Sequence, residues 1–207
     1  MEKSDAPKKD PSMLAQFQYE RVALDHYPTP ARCTEALLTA LGDDFAGYHG
    51  WEPACGNGAI SNVVKDHFQS FISTDIALYD GFQPDGFLDF LDCSIDDVAA
   101  FSPDGIRPDF ILTNPPYGKN AEAFTRKALE LVEPEQGVVV MLCRHEWDTA
   151  KGRSDLFDHP AFRYKITMRF RPRWIEGTSG APRFNYSWYY WDWSKPMALK
   201  PELIYVG

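Results

Sequence analysis

"WEPACGNGAIS", residues 51–61, decides the architecture. With "YHG" before it, the stretch begins as a short strand, turns through two glycines around Asn57, and passes into the helical pattern "AISNVVKDHF". Strand, glycine turn and helix are the opening unit of a parallel α/β sheet. Glycines at such a turn accept positive φ and let backbone N–H groups approach a ligand closely. The spacing is not the dinucleotide pattern, because Ala59 and Ile60 follow Gly58. It is not a phosphate loop either, since no Gly-Lys-Ser/Thr follows. A nucleoside ligand without pyrophosphate fits it, and a plain tight turn is the alternative.

Outward from this unit, helical and strand patterns alternate. "TPARCTEALLTAL" predicts a helix with Thr29 as N-cap and Pro30 at the first helical position, ending at Gly42. "FQSFISTDI" reads as a second strand and "DGFLDFLD" as a short third one. "SIDDVAAF" is a small helix capped by Ser94, with Asp97 at the capping-box offset, where Glu or Gln is the usual partner. "PDFILTN" and "GVVVMLC" are buried-type strands separated by the helix "NAEAFTRKALELV". The aromatic runs "FRYKITMRFR" and "FNYSWYYWDW" then alternate as strands of an antiparallel hairpin, joined by a long basic connection. No internal boundary divides residues 26–207, so they form a single domain. Residues 1–25 read as a polar tail or, within "PSMLAQFQYERVAL", as an extra helix before the core.

The chain has 207 residues with 44% hydrophobic and 25% charged content, the composition of a globular domain with its own core. No apolar run reaches the length of a membrane helix, and no signal peptide opens the chain. Cys33, Cys55, Cys93 and Cys143 are scattered, without metal-ligand spacing. They read as reduced thiols of a cytoplasmic protein with no metal site. Net charge is −9, which excludes binding of nucleic acid by bulk charge alone. The charge is uneven: residues 144–183 hold nine basic and five acidic side chains, +4 against −13 for the rest. A basic region on an acidic body suits a polyanion held on one face; a solvated surface is the bland alternative.

Three further stretches carry chemistry. In "STDI", Asp75 ends the second strand about twenty residues after the glycine turn, where an acidic side chain can accept hydrogen bonds from ribose hydroxyls. In "GFLDFLD", Asp89 suits an exocyclic amine and Phe90 the face of a base, with Asp92 the rival of Asp89. The third is "ILTNPPYGKN", residues 111–120, in which a strand ends at two prolines that discard two backbone donors. A rigid turn explains it. So does a preorganised pair of acceptors, the Asn114 side-chain oxygen and the Pro115 carbonyl, aimed at one amino group. Pro116 stiffens the pair, and Tyr117 can stack on a ring, worth about 1–3 kcal/mol per base.

Taken together, "YPTP", "EPACGNG", "STDI", "GFLDF" and "NPPY" resemble the class I S-adenosylmethionine-dependent methyltransferases that act on exocyclic amines. DNA adenine-N6 enzymes of the small phage type are the nearest in pattern. The resemblance runs from about Tyr27 to Trp193. It implies a Rossmann-like seven-stranded mixed sheet ending in an antiparallel hairpin, and S-adenosylmethionine as cofactor. It further implies that Tyr27 and Thr29 belong to the N-terminal cofactor motif. Glu52, Pro53, Cys55 and Gly56 would surround the methionine portion, with Asp75 and Ile76 at the ribose and Asp89 and Phe90 at the adenine. Asn114, Pro115, Pro116 and Tyr117 would be the catalytic motif, with Asn114 also facing the cofactor.

Many DNA adenine methyltransferases carry a large recognition domain, whereas only about fourteen residues follow Trp193 here. Recognition then falls to the basic segment, to the N-terminal residues or to a second subunit. Arg144, Arg171, Arg173 and Arg183 are the candidate phosphate contacts, with Trp174 as a wedge during base extrusion. The "WYYWDW" cluster is mainly structural, with about half its residues expected in the core. The expected function is adenine-N6 methylation of DNA, with DNA preferred over RNA and no membrane partner. RNA adenine-N6, RNA guanine-N2 and protein glutamine-N5 methylation share the motif, and a catalytically silent binding module is the reading from another class.

Overall fold

Apolar side chains alternate along a short central strand: Phe110 and Leu112 leave it on one face and Ile111 on the other, and all three are buried. Such a strand needs cover on both sides, and the computed structural model supplies it with helices. The structure describes residues 27–42, 45–79, 81–102, 104–175, 177, 179–195 and 200–207. The elements are α1 (Ala31–Leu41), β1 (His49–Glu52), α2 (Ser61–Val64), β2 (Ser70–Asp75), β3 (Gly86–Phe87), α3 (Ile95–Ala99), β4 (Phe110–Thr113), α4 (Lys119–Val132), β5 (Val138–Arg144), α5 (Ser154–Phe157), β6 (Phe162–Met168), β7 (Tyr186–Asp192) and β8 (Glu202–Val206). The reading of residues 1–25 as a tail or extra helix falls outside the described residues.

The strands form one sheet in the order β3-β2-β1-β4-β5-β7-β6-β8. β1 pairs in parallel with β2 and β4, β4 with β5, and β6 with β8, while β7 runs antiparallel between β5 and β6. The sheet is therefore the expected mixed, Rossmann-like α/β arrangement with its antiparallel hairpin, extended by an eighth strand. That strand comes from "ELIYV", near the C-terminal end of the chain, and pairs with β6 from Tyr164↔Glu202 to Met168↔Val206. The order reverses between β1 and β4, so the carboxyl ends of these two strands flank a crevice, the usual place for a ligand in an open α/β sheet.

Two apolar layers cover the sheet. On one face Ile111, Val139, Met141, Tyr189 and Trp191 pack against α4 and α5 through Phe124, Ala128 and Leu156. On the other, Phe110, Leu112, Val140, Trp188 and Tyr190 pack against α1 and Phe45. Every residue of β7 is buried, so the expectation that half of "WYYWDW" lies in the core is too low. The reason is position: β7 lies between β5 and β6, and each of its faces meets an apolar layer. The Trp188 indole N–H donates to the Cys33 carbonyl at 2.8 Å, and that of Trp191 to the Leu156 carbonyl at 2.7 Å, which ties the strand to both layers.

Local expectations meet the structure unevenly. Ser94 and Asp97 make both halves of the capping box at α3. α1 starts one residue later than the sequence predicts: Pro30 takes the N-cap position, and Thr29 is buried beside the crevice instead of capping. The helix expected at "AISNVVKDHF" shrinks to the single turn of α2 followed by a tighter turn at Lys65–His67. The four cysteines are buried and unpaired. Among the described residues no helix is long and apolar enough to cross a membrane.

Candidate active site

The crevice is a cavity of about 570 Å³, within the range that holds a nucleoside-sized ligand. It is built from the loops at the carboxyl ends of β1, β2, β3 and β4. All of Tyr27, Thr29, Glu52, Pro53, Cys55, Gly56, Asp75, Ile76, Asp89, Phe90 and Asn114 line it, together with Pro115 and Pro116. Asp92 is exposed and lies outside the lining, so the geometry favours Asp89 over its rival.

The glycine turn is held to the neighbouring strand by Asp75. One carboxylate oxygen accepts the Gly56 N–H at 2.8 Å and the other the Ala77 N–H at 3.1 Å. Each oxygen keeps a lone pair for a further donor. The Cys55 N–H donates to the Thr74 carbonyl at 3.1 Å, which closes the link between the β1 turn and β2. Gly58 has φ +74°, and a Cβ there would stand 2.3 Å from the Phe82 ring. A side chain is therefore excluded by both conformation and space. Asn57, between the glycines, has its Oδ1 buried without a partner among the described residues, an acceptor within the lining of the cavity.

Glu52, at the end of β1, is 2% exposed. Its carboxylate accepts the Ser61 N–H at 2.9 Å and a very short hydrogen bond from the Ser61 hydroxyl. Burial raises its pKa to about 8, a rise opposed by the Ser61 hydrogen bonds and increased by the Asp75 charge. A cationic ligand group beside it would reverse that balance. Leu88, Tyr79 and Phe124 also line the cavity, as do Asn57 and Asn120. Tyr79 and Phe124 had no motif to betray them, because they reach the crevice from the loop after β2 and from α4.

The "NPPY" segment leaves β4 at the crevice floor. The Asn114 Oδ1 atom is buried and has no hydrogen-bond partner among the described residues. Pro115 is buried. Tyr117 does not line the cavity. Its ring lies 6.1 Å from that of Tyr27 and 6.3 Å, edge-on, from that of Trp174. Its hydroxyl faces Asn114 and the phenol of Tyr186, and burial followed by the Tyr186 phenol raises its pKa far above the usual range.

The residues assigned to nucleic acid fall on and around the β6–β7 connection. The Arg144 guanidinium lies 3.7 Å from the centre of the Phe184 ring. Arg171 donates to Asn185 Oδ1 at 3.0 Å and Arg173 to the Gly180 carbonyl at 2.7 Å. Arg171, Arg173 and Arg183 are exposed. Other members of the basic segment are engaged in structure: Arg153 with Glu122, Lys165 with Asp148, and buried Arg163 on the Pro160 and Phe162 carbonyls. Trp174 points inward, with its indole N–H buried, so in this structure it is not an exposed wedge.

No family model and no curated protein matches the chain. Solved structures do. One is a proposed RNA methyltransferase from Pyrococcus horikoshii, 18% identical, covering 87% of this chain and 93% of that one with a TM-score of 0.59. Another is the methyltransferase subunit of a type I restriction-modification system from Streptococcus thermophilus, 14% identical, covering 80% of this chain and 44% of that one with a TM-score of 0.54. A third is a proposed hemolysin from Lactococcus lactis, 10% identical, covering 85% of this chain and 94% of that one with a TM-score of 0.58. At these identities the likeness concerns the fold: the chain has the Rossmann-like α/β fold of class I methyltransferases, with one added edge strand.

Proposed function

We propose that this protein is an S-adenosylmethionine-dependent methyltransferase acting on an exocyclic amine, adenine N6 in DNA. The observation that carries the reading is Asn114 Oδ1, a buried acceptor without a partner among the described residues, on the floor of the cavity that Glu52, Asp75 and Asp89 also line. The cavity fits the cofactor in size and in donor set. Asp75 and Asp89 offer acceptors to hydroxyl and amine groups, Glu52 a carboxylate to a cation, and Phe90 and Ile76 an apolar surface to a base. S-adenosylmethionine supplies an electrophilic methyl group when bound.

The chain's own contribution is positioning. Asn114 Oδ1 and the Pro115 carbonyl accept hydrogen bonds from the two hydrogens of one amine, which turns the nitrogen lone pair out of conjugation and toward the cavity. The prolines hold both acceptors in place before the substrate arrives. The polyanion preference rests on the exposed, basic β6–β7 connection that carries Arg171 and Arg173, and on the restriction-modification subunit among the similar structures. The similar structure described as an RNA methyltransferase supports RNA as the second reading.

The test is transfer of labelled methyl from S-adenosylmethionine to duplex DNA, single-stranded DNA, total RNA and cell protein, followed by digestion and identification of the modified unit. N6-methyladenine in DNA is the expected product. Label in RNA adenine, RNA guanine or protein glutamine keeps the amine chemistry and replaces the substrate. No transfer together with no cofactor binding leaves a silent binding module.

A further inference from the structure

Two buried side-chain polar atoms at the "NPPY" segment lack a hydrogen-bond partner among the described residues: Asn114 Oδ1 and Trp174 Nε1. A folded protein pairs nearly all such atoms, so an unpaired acceptor and an unpaired donor on either side of Tyr117 call for an explanation. Asn114 belongs to the motif itself. Trp174 arrives from the β6–β7 connection, far along the chain.

Trp174 is brought there by aromatic packing. Its ring lies 4.9 Å from that of Tyr186 and 6.3 Å, edge-on, from that of Tyr117. Tyr117 in turn has its hydroxyl beside Asn114. The group thus contains an atom that only accepts, Asn114 Oδ1, and one that only donates, the Trp174 indole N–H. An amine attached to a heteroaromatic ring presents the complement: amine hydrogens next to a ring nitrogen that accepts. In adenine both neighbours of the amine-bearing edge, N1 and N7, are acceptors. For packing alone, a phenylalanine would fill this place without burying an unmatched N–H.

We propose that Trp174 is a specificity-determining residue whose indole N–H donates to the ring nitrogen beside the amine held by Asn114. The assignment rests on the amine-methyltransferase reading above. It moves Trp174 from the phosphate-facing surface, where the sequence groups it with its neighbouring arginines, to a place behind Tyr117, just outside the lining of the cavity. Entry of the base requires the indole to shift off Tyr117, because the N–H is covered by rings in this structure.

The test compares the full-length protein with Trp174→Phe, which keeps a ring against Tyr117 and Tyr186 and removes the donor. The acceptors are oligonucleotides carrying adenine, 1-deazaadenine or 7-deazaadenine at the methylated position. On adenine the variant is expected to lose about tenfold in kcat/KM, the size of one hydrogen bond. The wild type is expected to lose the same factor on one of the two deaza bases, and the variant no more on that base than on adenine. Thermal stability and cofactor affinity of the variant are expected to equal or exceed those of the wild type. Equal penalties for variant and wild type across all three bases overturn the proposal and leave Trp174 as a wall. Should the variant fail to fold, the wild type alone decides: undiminished transfer to both deaza bases overturns it. A wild type that binds S-adenosylmethionine but methylates no adenine removes the underlying reading, and the proposal with it.

Discussion

A carboxyl as buried as that of Glu52 holds its proton to about pH 8, with burial the main cause and the Ser61 hydrogen bonds working against it. In the unfolded chain it ionises near the ordinary 4.5. The folded protein therefore binds more protons between these values, so this group's stabilising contribution is full below about pH 4.5 and is lost as pH rises through about 8. The full span is worth at most roughly 5 kcal/mol. Glu52→Gln keeps an acceptor for Ser61, and its melting temperature is expected to fall less with pH over that window than the wild type's, as thermal melts from pH 5 to about 8 would show. Asn114→Ala is expected to cut methyl transfer by about 10²–10³-fold, the scale of losing one preorganised acceptor, with cofactor affinity nearly unchanged. A tenfold loss of cofactor binding with retained turnover would sink that role. Asp75→Ala is expected to do the reverse, weakening cofactor binding first in calorimetry, since its carboxylate also holds the Gly56 turn.

At the scale of elements, the junction where α4 hands the chain to β5 leaves no room for a side chain. Gly137 sits against β4's entry, and a Cβ there would lie 2.2 Å from the Asp109 carbonyl oxygen, which itself accepts the Val138 N–H at 2.8 Å. Backbone cannot swing aside as a side chain can. Gly137→Ala is expected to destabilise by about 1–3 kcal/mol, read as a lower urea midpoint at unchanged slope. The same scale shows where local patterns suffice and where they fail. Ser94 and Asp97 make their box because cap and partner lie three residues apart and need nothing else. Thr29 fails as a cap because the chain carries it into the crevice. "AISNVVKDHF" fails as a full helix: its apolar residues suit a helix face, but the chain tightens at Lys65 and turns to extended backbone at Phe68 to enter β2.

For the whole molecule, the question is how an acidic chain would hold the polyanion proposed as its substrate. Of the basic segment, Arg153, Arg163 and Lys165 are spent on internal contacts, while Arg171, Arg173 and Arg183 on the β6–β7 connection are exposed. Reversing Arg171 and Arg173 to Glu is expected to lower the slope of log affinity against log salt by about two for the nucleic acid substrate, as two lost phosphate contacts would. An unchanged slope in a titration from low to physiological salt removes that connection from the interface.

The sequence by itself determined what is local: which residues turn, which alternate, and in what order the glycine turn, Asp75, Asp89 and Asn114 follow the ends of four strands. These features are written in glycine φ freedom, proline's missing donor and side-chain period, and they need no distant neighbour. Only the tertiary structure decided that β7 is covered on both faces, that "ELIYV" becomes an eighth strand on the open edge of β6, and that Trp174 turns inward onto Tyr117. Each of these depends on what lies across a sheet or behind a ring, supplied by residues far away in the chain, and burial is a property of both partners.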